Sequence, residues 1–492
     1  MRERQHLTTK PGRSPARQSP YVAIFRPYKG LRRPRQGARP LPGASANRYP
    51  ADPPRSCDRY QILNRVYLMA VVESSYYAHS AAPPPDRATL AGQAEADVCV
   101  IGGGIAGCST ALHLVERGYR VVLLESQRIG YGASGRSGGQ AIAGYACGQG
   151  KLEQQVGFEN ARRMWDISVE GLQLIRDRVA RHAIDCDLHW GQLHVAIKER
   201  QRADLLEERR DLEERYGYRQ VRFMERADVE SLLATKRYCA GLYDAGSGHL
   251  HPLNYTRGLA RAAEAAGVQI FENSAVTGLH IADPAVVKTE RGSVRARFVA
   301  LCCNAYGEPL IPALRARIMP VGTYIVATES LGRARSEELM RQNIGVTDSN
   351  FVLDYFRRSA DHRLLFGGRV SYSGVDAFDT ARATRKRMLQ VFPQLADTHI
   401  EFAWGGYVDI TMSRAPDFNR LAPNIYYLQG FSGHGIALTG IAGQLVADAI
   451  TGQAERFDVF TQLRHRNFPG GAALRMPALV LAMAWYRMRD LL

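Results

Sequence analysis

The chain has 492 residues, more than one hydrophobic core usually covers, so its length predicts two domains. Its formal net charge of +16 would suit a nucleic-acid-binding protein if it were spread over the whole molecule. However, residues 1–68 hold fifteen Lys or Arg and three Asp or Glu, a net charge of +12, which leaves +4 for residues 69–492. The nearly balanced body does not indicate steering towards nucleic acid, and we expect no nucleic-acid partner, with docking of the basic extension to RNA as the alternative.

Residues 1–68 also contain ten of the 23 prolines and no periodic apolar stripe. Such a segment cannot bury enough surface to offset the entropy lost on ordering it, so we predict a disordered, basic, proline-rich extension. Three explanations of it stay open: a basic interaction arm, an arginine-rich transit peptide, and translated sequence upstream of a natural start at Met69. The prolines argue against the amphipathic helix of a transit peptide.

A dinucleotide-binding pattern follows at residues 98–125. An apolar strand leads into a glycine turn, a helix, a second apolar strand and finally Glu125, whose carboxylate would bind ribose hydroxyls. The turn and the start of the helix consist of Gly102, Gly104, Ile105, Ala106 and Gly107. The first glycine permits the tight turn, the second lets the backbone approach a pyrophosphate, and the third lets the helix pack on the strand. The free N–H groups of the helix N-terminus would face the phosphates.

A second glycine-dense segment, Ile129–Gln140, follows directly and contains one arginine. An NAD enzyme has no need of such a loop here, whereas FAD does, because its isoalloxazine ring must be held further along the chain. Near the other end, an apolar strand leads through Gly433, His434 and Gly435 into an apolar helix. The N-terminus of that helix suits the N1 and C2 carbonyl side of a reduced, anionic flavin. The pattern therefore favours FAD.

These three motifs, in this order and at these separations, resemble those of the D-amino-acid oxidase and glycine oxidase superfamily of FAD enzymes. Within it, the chain is most similar to gamma-glutamylputrescine oxidase and its close relatives. The similarity spans about residues 70–492, and because it begins just after Met69 it favours the third explanation of the extension. The segments that carry it are residues 73–81, 132–140, 184–187, 248–254, 364–368, 454–458 and 468–471.

The resemblance implies an α/β fold with a Rossmann-like, glutathione-reductase-like FAD-binding domain and a second, sheet-rich substrate domain. The predicted FAD-binding domain is discontinuous and takes residues 92–190, 250–315 and 403–470. The predicted substrate domain takes residues 191–249 and 316–402, including a charged helix with Leu205, Leu206 and Leu212 against the body. Residues 471–492 are expected to form a C-terminal helix packed on the body, with a membrane-surface or oligomer contact as the alternative.

The resemblance also implies the residues of the flavin site. Arg136 and His434 are the candidate catalytic residues, the backbone of Val276 is expected beside the adenine, and Asn304 is a further cofactor residue. The loop residues expected near the isoalloxazine are Ser134, Arg136, Ser137, Gly138 and Gly139, and those at its pyrimidine edge are Gly433, His434 and Gly435. We expect non-covalent FAD, because relatives linked through histidine carry that histidine in the glycine-rich loop. Cys147 leaves a thioether open.

Glycine and D-amino-acid oxidases carry an arginine that binds the α-carboxylate of the substrate, shortly after a Trp-x-Gly segment. Here Tyr407 and Val408 stand at that place after Trp404. Without that cation, an α-amino acid loses charge-assisted hydrogen bonds of about 1.5–3 kcal/mol each. An amine without an α-carboxylate, such as gamma-glutamylputrescine, fits better. Candidates to bind its distant carboxylate are Arg357, Arg358 and His251.

The sequence thus predicts an FAD-dependent amine oxidase that converts a terminal primary amine into an aldehyde, ammonia and hydrogen peroxide, with oxygen or another carrier as electron acceptor. Two alternatives stay open: a D-amino-acid or N-methyl amino-acid dehydrogenase or oxidase, and an FAD-binding subunit of a complex. We expect no metal site, because His249 and His251 lack a third ligand at the usual spacing. The lack of a secretory signal and of a long apolar run predicts a cytoplasmic protein with no integral membrane segment, and leaves its oligomeric state open.

Overall fold

The structure is a computed structural model that describes residues 75–471 apart from 308–309, 351 and 372–376. The predicted extension at residues 1–68 and nearly all of the predicted C-terminal helix at 471–492 lie outside the described residues. Helices α1 to α12 are, in chain order, Tyr76–Ser80, Ile105–Val115, Gln149–Val156, Phe158–Arg181, Glu199–Glu214, Arg226–Leu232, Pro252–Ala265, Pro312–Arg315, Gly332–Leu339, Ala377–Val391, Gly435–Ile450 and Glu455–Thr461.

The strands belong to two sheets. Strands β1 to β17 are, in chain order, Gly92–Ile101, Val121–Leu124, Gln140–Ala141, His189–Ala196, Val221–Glu225, Ala240–His249, Gln269–Phe271, Val276–His280, Ala285–Thr289, Gly292–Leu301, Ile318–Thr328, Gly345–Asp348, Tyr355–Arg358, Leu364–Ser371, Ile400–Thr411, Asp417–Ala422 and Ile425–Gln429. Short 3₁₀ turns occur at Ala133–Gly135, Asn304–Gly307 and Pro393–Leu395.

The first sheet has the strand order β16-β17-β10-β1-β2-β7, with β9 on β10 and β8 on β9. Strand β1 runs parallel to β2 and β10, and helix α2 makes the crossover between β1 and β2. Alternate residues of β1 enter two cores: Val98 and Val100 pack with helices α2, α7 and α11, and Cys99 and Ile101 pack on the opposite face. Strands of a parallel sheet that is covered on both faces are continuous apolar runs. Strand β2 shows this, because all four of its residues are apolar and buried.

The second sheet has the order β15-β11-β14-β13-β12-β4-β6-β3, with β5 on β6. It is antiparallel except where β12 pairs with β4. Strand β15 belongs to this sheet, since every residue of β11 pairs with it, whereas we predicted that residues from 403 onward would belong to the FAD-binding domain. Sheet pairing between segments about 80 residues apart is not visible in the local pattern. The full domain division stays a prediction.

The charged helix predicted at residues 202–215 is α5, with Leu205 and Leu212 buried and Leu206 half-buried, as its apolar spacing predicted. Among the described helices, none alone combines the length and apolar composition of a membrane span. The sharply bent pair α11 and α12 meets those two criteria together.

Candidate active site

The glycine turn between β1 and α2 is packed so tightly that two of its glycines leave no space for a side chain. Gly102 has a φ of +110°, in the region that favours glycine, and a Cβ at this position would lie 2.6 Å from the carbonyl oxygen of Cys302. A Cβ at Gly107 would lie 1.8 Å from the carbonyl oxygen of Gly102. Any side chain at residue 107 would therefore push α2 away from the turn, as predicted for the third glycine of the motif.

The N-terminus of α2 offers donors to an anion. Ser134 Oγ accepts a hydrogen bond from the N–H of Ile105 at 3.0 Å. Helix geometry leaves the next two N–H groups, those of Ala106 and Gly107, without an acceptor inside the helix. The first turn of α2 contains no acidic residue, and the helix dipole favours a negative charge there. Since Gly104 caps this helix without a side chain, backbone and ligand can approach closely.

Glu125 lies at the end of β2 with 8 % of its surface exposed. Its carboxylate accepts hydrogen bonds from the N–H of Gly103 at 2.6 Å, the N–H of Gln127 at 2.9 Å and the hydroxyl of Ser126 at 3.1 Å. Burial raises the pKa of Glu125, and these hydrogen bonds oppose the rise. The carboxylate therefore ties the end of β2 to the glycine turn, on the side of the site where the sequence placed the ribose.

Two long side chains of the second sheet hold the glycine-dense loop. Trp404 on β15 donates its indole N–H to the carbonyl of Arg136 at 3.0 Å. Arg357 on β13 donates its Nε–H to the carbonyl of Gly138 at 2.9 Å. The loop that was predicted to lie beside the isoalloxazine is thus fixed from the sheet opposite the glycine turn.

The same loop also contacts α7. Thr256 donates its hydroxyl to the carbonyl of Ser134 at 3.3 Å, and Ser137 Oγ accepts the N–H of Gly139 at 3.4 Å. A Cβ at Gly139, where φ is +75°, would lie 2.1 Å from the carbonyl oxygen of Leu250. The structure therefore brings the predicted loop residues together in one constrained turn.

The guanidinium of Arg136 is buried without a hydrogen-bonding partner among the described residues. Only 4 % of its surface is exposed, and none of its three guanidinium nitrogens has a hydrogen-bond partner among the described residues. Its guanidinium carbon lies 4.4 Å from the ring centroid of Tyr131, and a Cβ at Gly406 would lie 3.4 Å from Arg136 Cβ. A cation–π contact of this kind contributes about 0.5–2 kcal/mol, less than the cost of burying an unpaired charge.

The pyrimidine-edge residues precede α11. Gly433 has a φ of +96°, His434 is the N-cap residue, and α11 begins at Gly435. Burial lowers the pKa of His434 to about 4, and the positive charge of Arg414 and the nearby His194 add to the shift. At neutral pH, His434 is therefore an uncharged imidazole at the amino end of the helix.

Asp409 on β15 fixes the segment in front of α11. Its carboxylate accepts the N–H of Gly430, and its carbonyl accepts the N–H of Ser432 at 3.0 Å. Gly430 and Ser432 have φ values of +80° and +52°, so this segment needs an external clamp. Burial raises the pKa of Asp409 to about 6, and hydrogen bonds from Gly430 and Phe431 oppose the rise.

The two predicted substrate residues lie on opposite faces of β15. Neighbouring side chains of a strand alternate, so Val408 shares a face with Trp404 and Gly406, beside Arg136, and Tyr407 faces the other way. The ring of Tyr407 meets that of Tyr306 edge-on at 6.4 Å. The pair therefore does not form one continuous wall.

Val276 and Asn304 each follow a segment that contacts Glu125 or the glycine turn. Val276 is the first residue of β8, two residues after Ser274, whose N–H donates to the carbonyl of Glu125 at 2.8 Å. Asn304 follows β10 with a φ of +51°, and its buried Oδ1 has no hydrogen-bond partner among the described residues.

Arg357 is not available to a substrate carboxylate. Besides Gly138, its guanidinium donates to the carbonyls of Arg358 and Leu250, both at 3.0 Å, and to the hydroxyl of Tyr77 at 3.1 Å. All three nitrogens are engaged inside the protein, and only 2 % of the residue is exposed. Arg357 is a structural link between the second sheet and the loop.

His251 is equally occupied. Its Nδ1 accepts the N–H of Asn254 at 3.1 Å, and its Nε2 lies 3.1 Å from Ser80 Oγ. Burial lowers the pKa of His251 to about 3, with the charge of Arg357 adding to the shift, so the ring is neutral at pH 7. Of the three sequence candidates for a distant carboxylate, two are therefore excluded.

The described residues fit FAD. The α2 N-terminus offers N–H donors beside side-chain-free Gly104, and the buried Oδ1 of Asn304 has no hydrogen-bond partner among the described residues. Such groups suit a long polar cofactor that would bring its own hydrogen-bond partners. Arg136, His434, Val276 and the other predicted site residues keep their roles as proposals.

Sequence reasoning missed three residues of this region: Tyr131 against Arg136, the indole hydrogen bond of Trp404, and the Asp409 clamp. The signal for Tyr131 was an aromatic residue between two glycines, and that for Asp409 a carboxylate between two β-branched apolar residues, Val408 and Ile410. Among the described residues, no group of three or more His, Cys, Asp or Glu could hold a metal ion.

Fold and site together define a dinucleotide-dependent oxidoreductase with a second, antiparallel sheet over the site. The family model for FAD dependent oxidoreductases (DAO) matches residues 97–449. Gamma-glutamylputrescine oxidoreductase of Escherichia coli (strain K12) is 44% identical over 418 residues, covering 85% of this chain and 98% of that protein. The probable oxidoreductase OrdL of Haemophilus influenzae is 40% identical over 400 residues, covering 80% and 92%. The chain belongs to the FAD dependent oxidoreductase family.

Solved structures agree on the fold. Glycine oxidase from Geobacillus kaustophilus superimposes with a TM-score of 0.64 at 20% identity, over 76% of this chain and 100% of that one. L-proline dehydrogenase from P. horikoshii gives 0.62 at 21% identity, over 76% and 100%. The predicted α/β fold with two sheets, the FAD cofactor and the oxidoreductase activity on amine donors are thereby confirmed.

Proposed function

We propose that the protein oxidises a terminal primary amine that bears no α-carboxylate, of the gamma-glutamylputrescine class. The observation that carries the proposal is the composition of β15 beside the loop: residues 400–411 contain no Lys or Arg. An α-carboxylate beside Tyr407, on the face of the strand turned away from Arg136, would be desolvated without a cation from the strand, at a cost of several kcal/mol. The 44% identical relative bears the matching name.

The proposed reaction balances with oxygen as acceptor. The amine R–CH2–NH2 loses two electrons and two protons to give an imine, which water hydrolyses to an aldehyde and ammonia. Oxygen takes up the two electrons and two protons and becomes hydrogen peroxide. Bound FAD would be the hydride acceptor.

The chain's own contribution is position and solvent exclusion. Two rigid segments would border the isoalloxazine: the loop held by Trp404 and Arg357, and the segment held by Asp409. His434 is uncharged and adds no positive charge of its own. The amino end of α11 would stabilise negative charge on a reduced cofactor held next to it. Binding energy from the remote part of the substrate would place the reacting C–H bond.

Product stoichiometry tests this proposal. Purified holoenzyme with gamma-glutamylputrescine in air should give aldehyde, ammonia and peroxide in equal amounts. Aldehyde and ammonia without peroxide, formed only with an artificial electron acceptor, would make the protein a dehydrogenase. No product with either acceptor would favour a flavin-binding subunit.

A further inference from the structure

We propose that Arg136 binds a carboxylate on the part of the substrate remote from the reacting amine. The inference rests on the proposed function and deepens it, because it makes the site selective for amines whose aliphatic chain ends in an acid. Arg136 would then act as a substrate-binding residue as well as a member of the flavin loop.

The first observation is the unpaired charge. Nε, Nη1 and Nη2 of Arg136 are all buried and have no hydrogen-bond partner among the described residues, and the ion pairs found there do not include this arginine. Buried guanidinium groups in folded proteins are normally paired, because an uncompensated charge costs several kcal/mol. A partner that arrives with the ligand would remove that cost.

The second observation is the shape of the donor. A guanidinium presents its N–H groups as a planar fork that matches the two oxygens of a carboxylate. On the side of the strand, Gly406 presents no side chain towards Arg136, and a Cβ there would lie 3.4 Å from Arg136 Cβ. The ring of Tyr131 covers one face of the guanidinium, so the fork's edge is left for an anion.

The third observation is an accessible aromatic wall. Tyr306 is one of the two most exposed large hydrophobic residues described, at 38%, although it packs edge-on against Tyr407 and lies against Gly132. Burial raises the pKa of Tyr306, and the charge of Arg136 opposes that rise. Tyr306 thus borders the loop that contains Arg136, through its contact with Gly132.

The other candidate cations are accounted for. Arg357 donates hydrogen bonds from all three guanidinium nitrogens to carbonyls inside the protein, and His251 and His434 are neutral at pH 7. Arg358 is the remaining sequence candidate; its buried Nε has no hydrogen-bond partner among the described residues, and the negative charge of Glu337 acts on it. Its neighbour Glu337 would repel an acidic ligand, which favours Arg136.

The test uses holoenzyme and three ligands. Gamma-glutamylputrescine has both the reacting amine and the distant carboxylate, putrescine has only the amine, and gamma-glutamylbutylamine keeps the carboxylate but lacks the reacting amine. Arg136→Gln should weaken binding of gamma-glutamylbutylamine, followed by equilibrium dialysis, by about 10- to 100-fold and raise KM for gamma-glutamylputrescine similarly. The kcat/KM of putrescine, which has no carboxylate, should fall much less than that of gamma-glutamylputrescine.

Two further variants sharpen the result. Arg136→Lys keeps the charge but loses the fork, so its binding loss should be intermediate. Arg358→Gln removes another buried guanidinium and should leave the affinity for gamma-glutamylbutylamine unchanged. A loss confined to Arg358→Gln would overturn the assignment.

Equal losses with gamma-glutamylputrescine and putrescine, or loss of FAD from both Arg136 variants, would also overturn it and place Arg136 on the flavin. The proposed function fails separately: wild-type flavin that gamma-glutamylputrescine does not reduce would refute the substrate. Arg136-dependent binding of gamma-glutamylbutylamine would survive that outcome.

Discussion

Two titratable residues near the amino end of α11, buried Asp409 on β15 and half-buried His434, respond to pH in opposite directions. The pKa of Asp409 is raised to about 6, and that of His434 is lowered to about 4. Between pH 4 and 6 the folded state binds more protons at Asp409 than the unfolded state does, so this carboxyl makes stability fall as pH rises. At His434 the unfolded state binds more protons, so the imidazole makes stability rise with pH over the same range. Their contributions partly cancel in the wild type.

Replacing Asp409 should expose this cancellation. Asp409→Asn keeps an oxygen that can accept the N–H of Gly430 but cannot ionise. Relative to wild type, the free energy of unfolding of the variant should rise by up to about 3 kcal/mol between pH 4 and pH 7. Denaturant titrations at several pH values measure the difference, and a difference that does not change with pH would show that Asp409 titrates normally.

The glycine turn gives a sharper residue-scale prediction. In Gly104→Val a side chain would enter the space beside Ser134 Oγ, 2.7 Å from the position of Cβ, and keep a pyrophosphate from the helix N–H groups. Losing two such bonds at about 1.5 kcal/mol each predicts FAD affinity at least about 100-fold weaker. Gly150→Ala is the control, since a Cβ there meets nothing within 4 Å. Full FAD occupancy in Gly104→Val would show that this turn does not hold the cofactor.

At the scale of elements, the sequence predicted what neighbouring residues decide. The β1–α2–β2 unit was visible because glycine spacing, apolar strands and Glu125 lie within 28 residues of one another. The sheet to which β15 belongs was not visible, because its pairing with β11 joins distant segments. The same holds for the site: the loop residues were predicted, but the neutral state of His434 and the internal use of Arg357 depend on burial and on partners from other strands.

The contact between the second sheet and the loop can be tested through Trp404. Trp404→Phe keeps an aromatic ring but removes the hydrogen bond to the carbonyl of Arg136, at a cost of about 1–3 kcal/mol. We expect FAD affinity to fall about tenfold, measured by titration of the apoprotein. Trp165→Phe, at a buried tryptophan of α4, controls for lost ring volume and should leave FAD affinity unchanged. Equal effects of the two variants would mean that Trp404 only fills space.

At the scale of the whole molecule, we predict that FAD is held without a covalent bond. Burial raises the pKa of the Cys147 thiol to about 12, so the thiolate that a thioether linkage would require is disfavoured. Acid precipitation of the purified yellow protein should therefore leave a colourless pellet and release all the flavin to the supernatant. A pellet that stays yellow after washing in denaturant would reveal a covalent link.

The central claim is that the site accepts an amine without an α-carboxylate. Anaerobic rapid mixing of the oxidised holoenzyme with equal concentrations of each substrate measures it directly, through the rate at which flavin absorbance bleaches. Because an α-carboxylate finds no cation on β15 and forfeits two charge-assisted bonds of about 1.5 kcal/mol each, gamma-glutamylputrescine should reduce the flavin at least about 100-fold faster than D-alanine, glycine or sarcosine. Faster bleaching by any of those three amino acids than by gamma-glutamylputrescine would contradict the account.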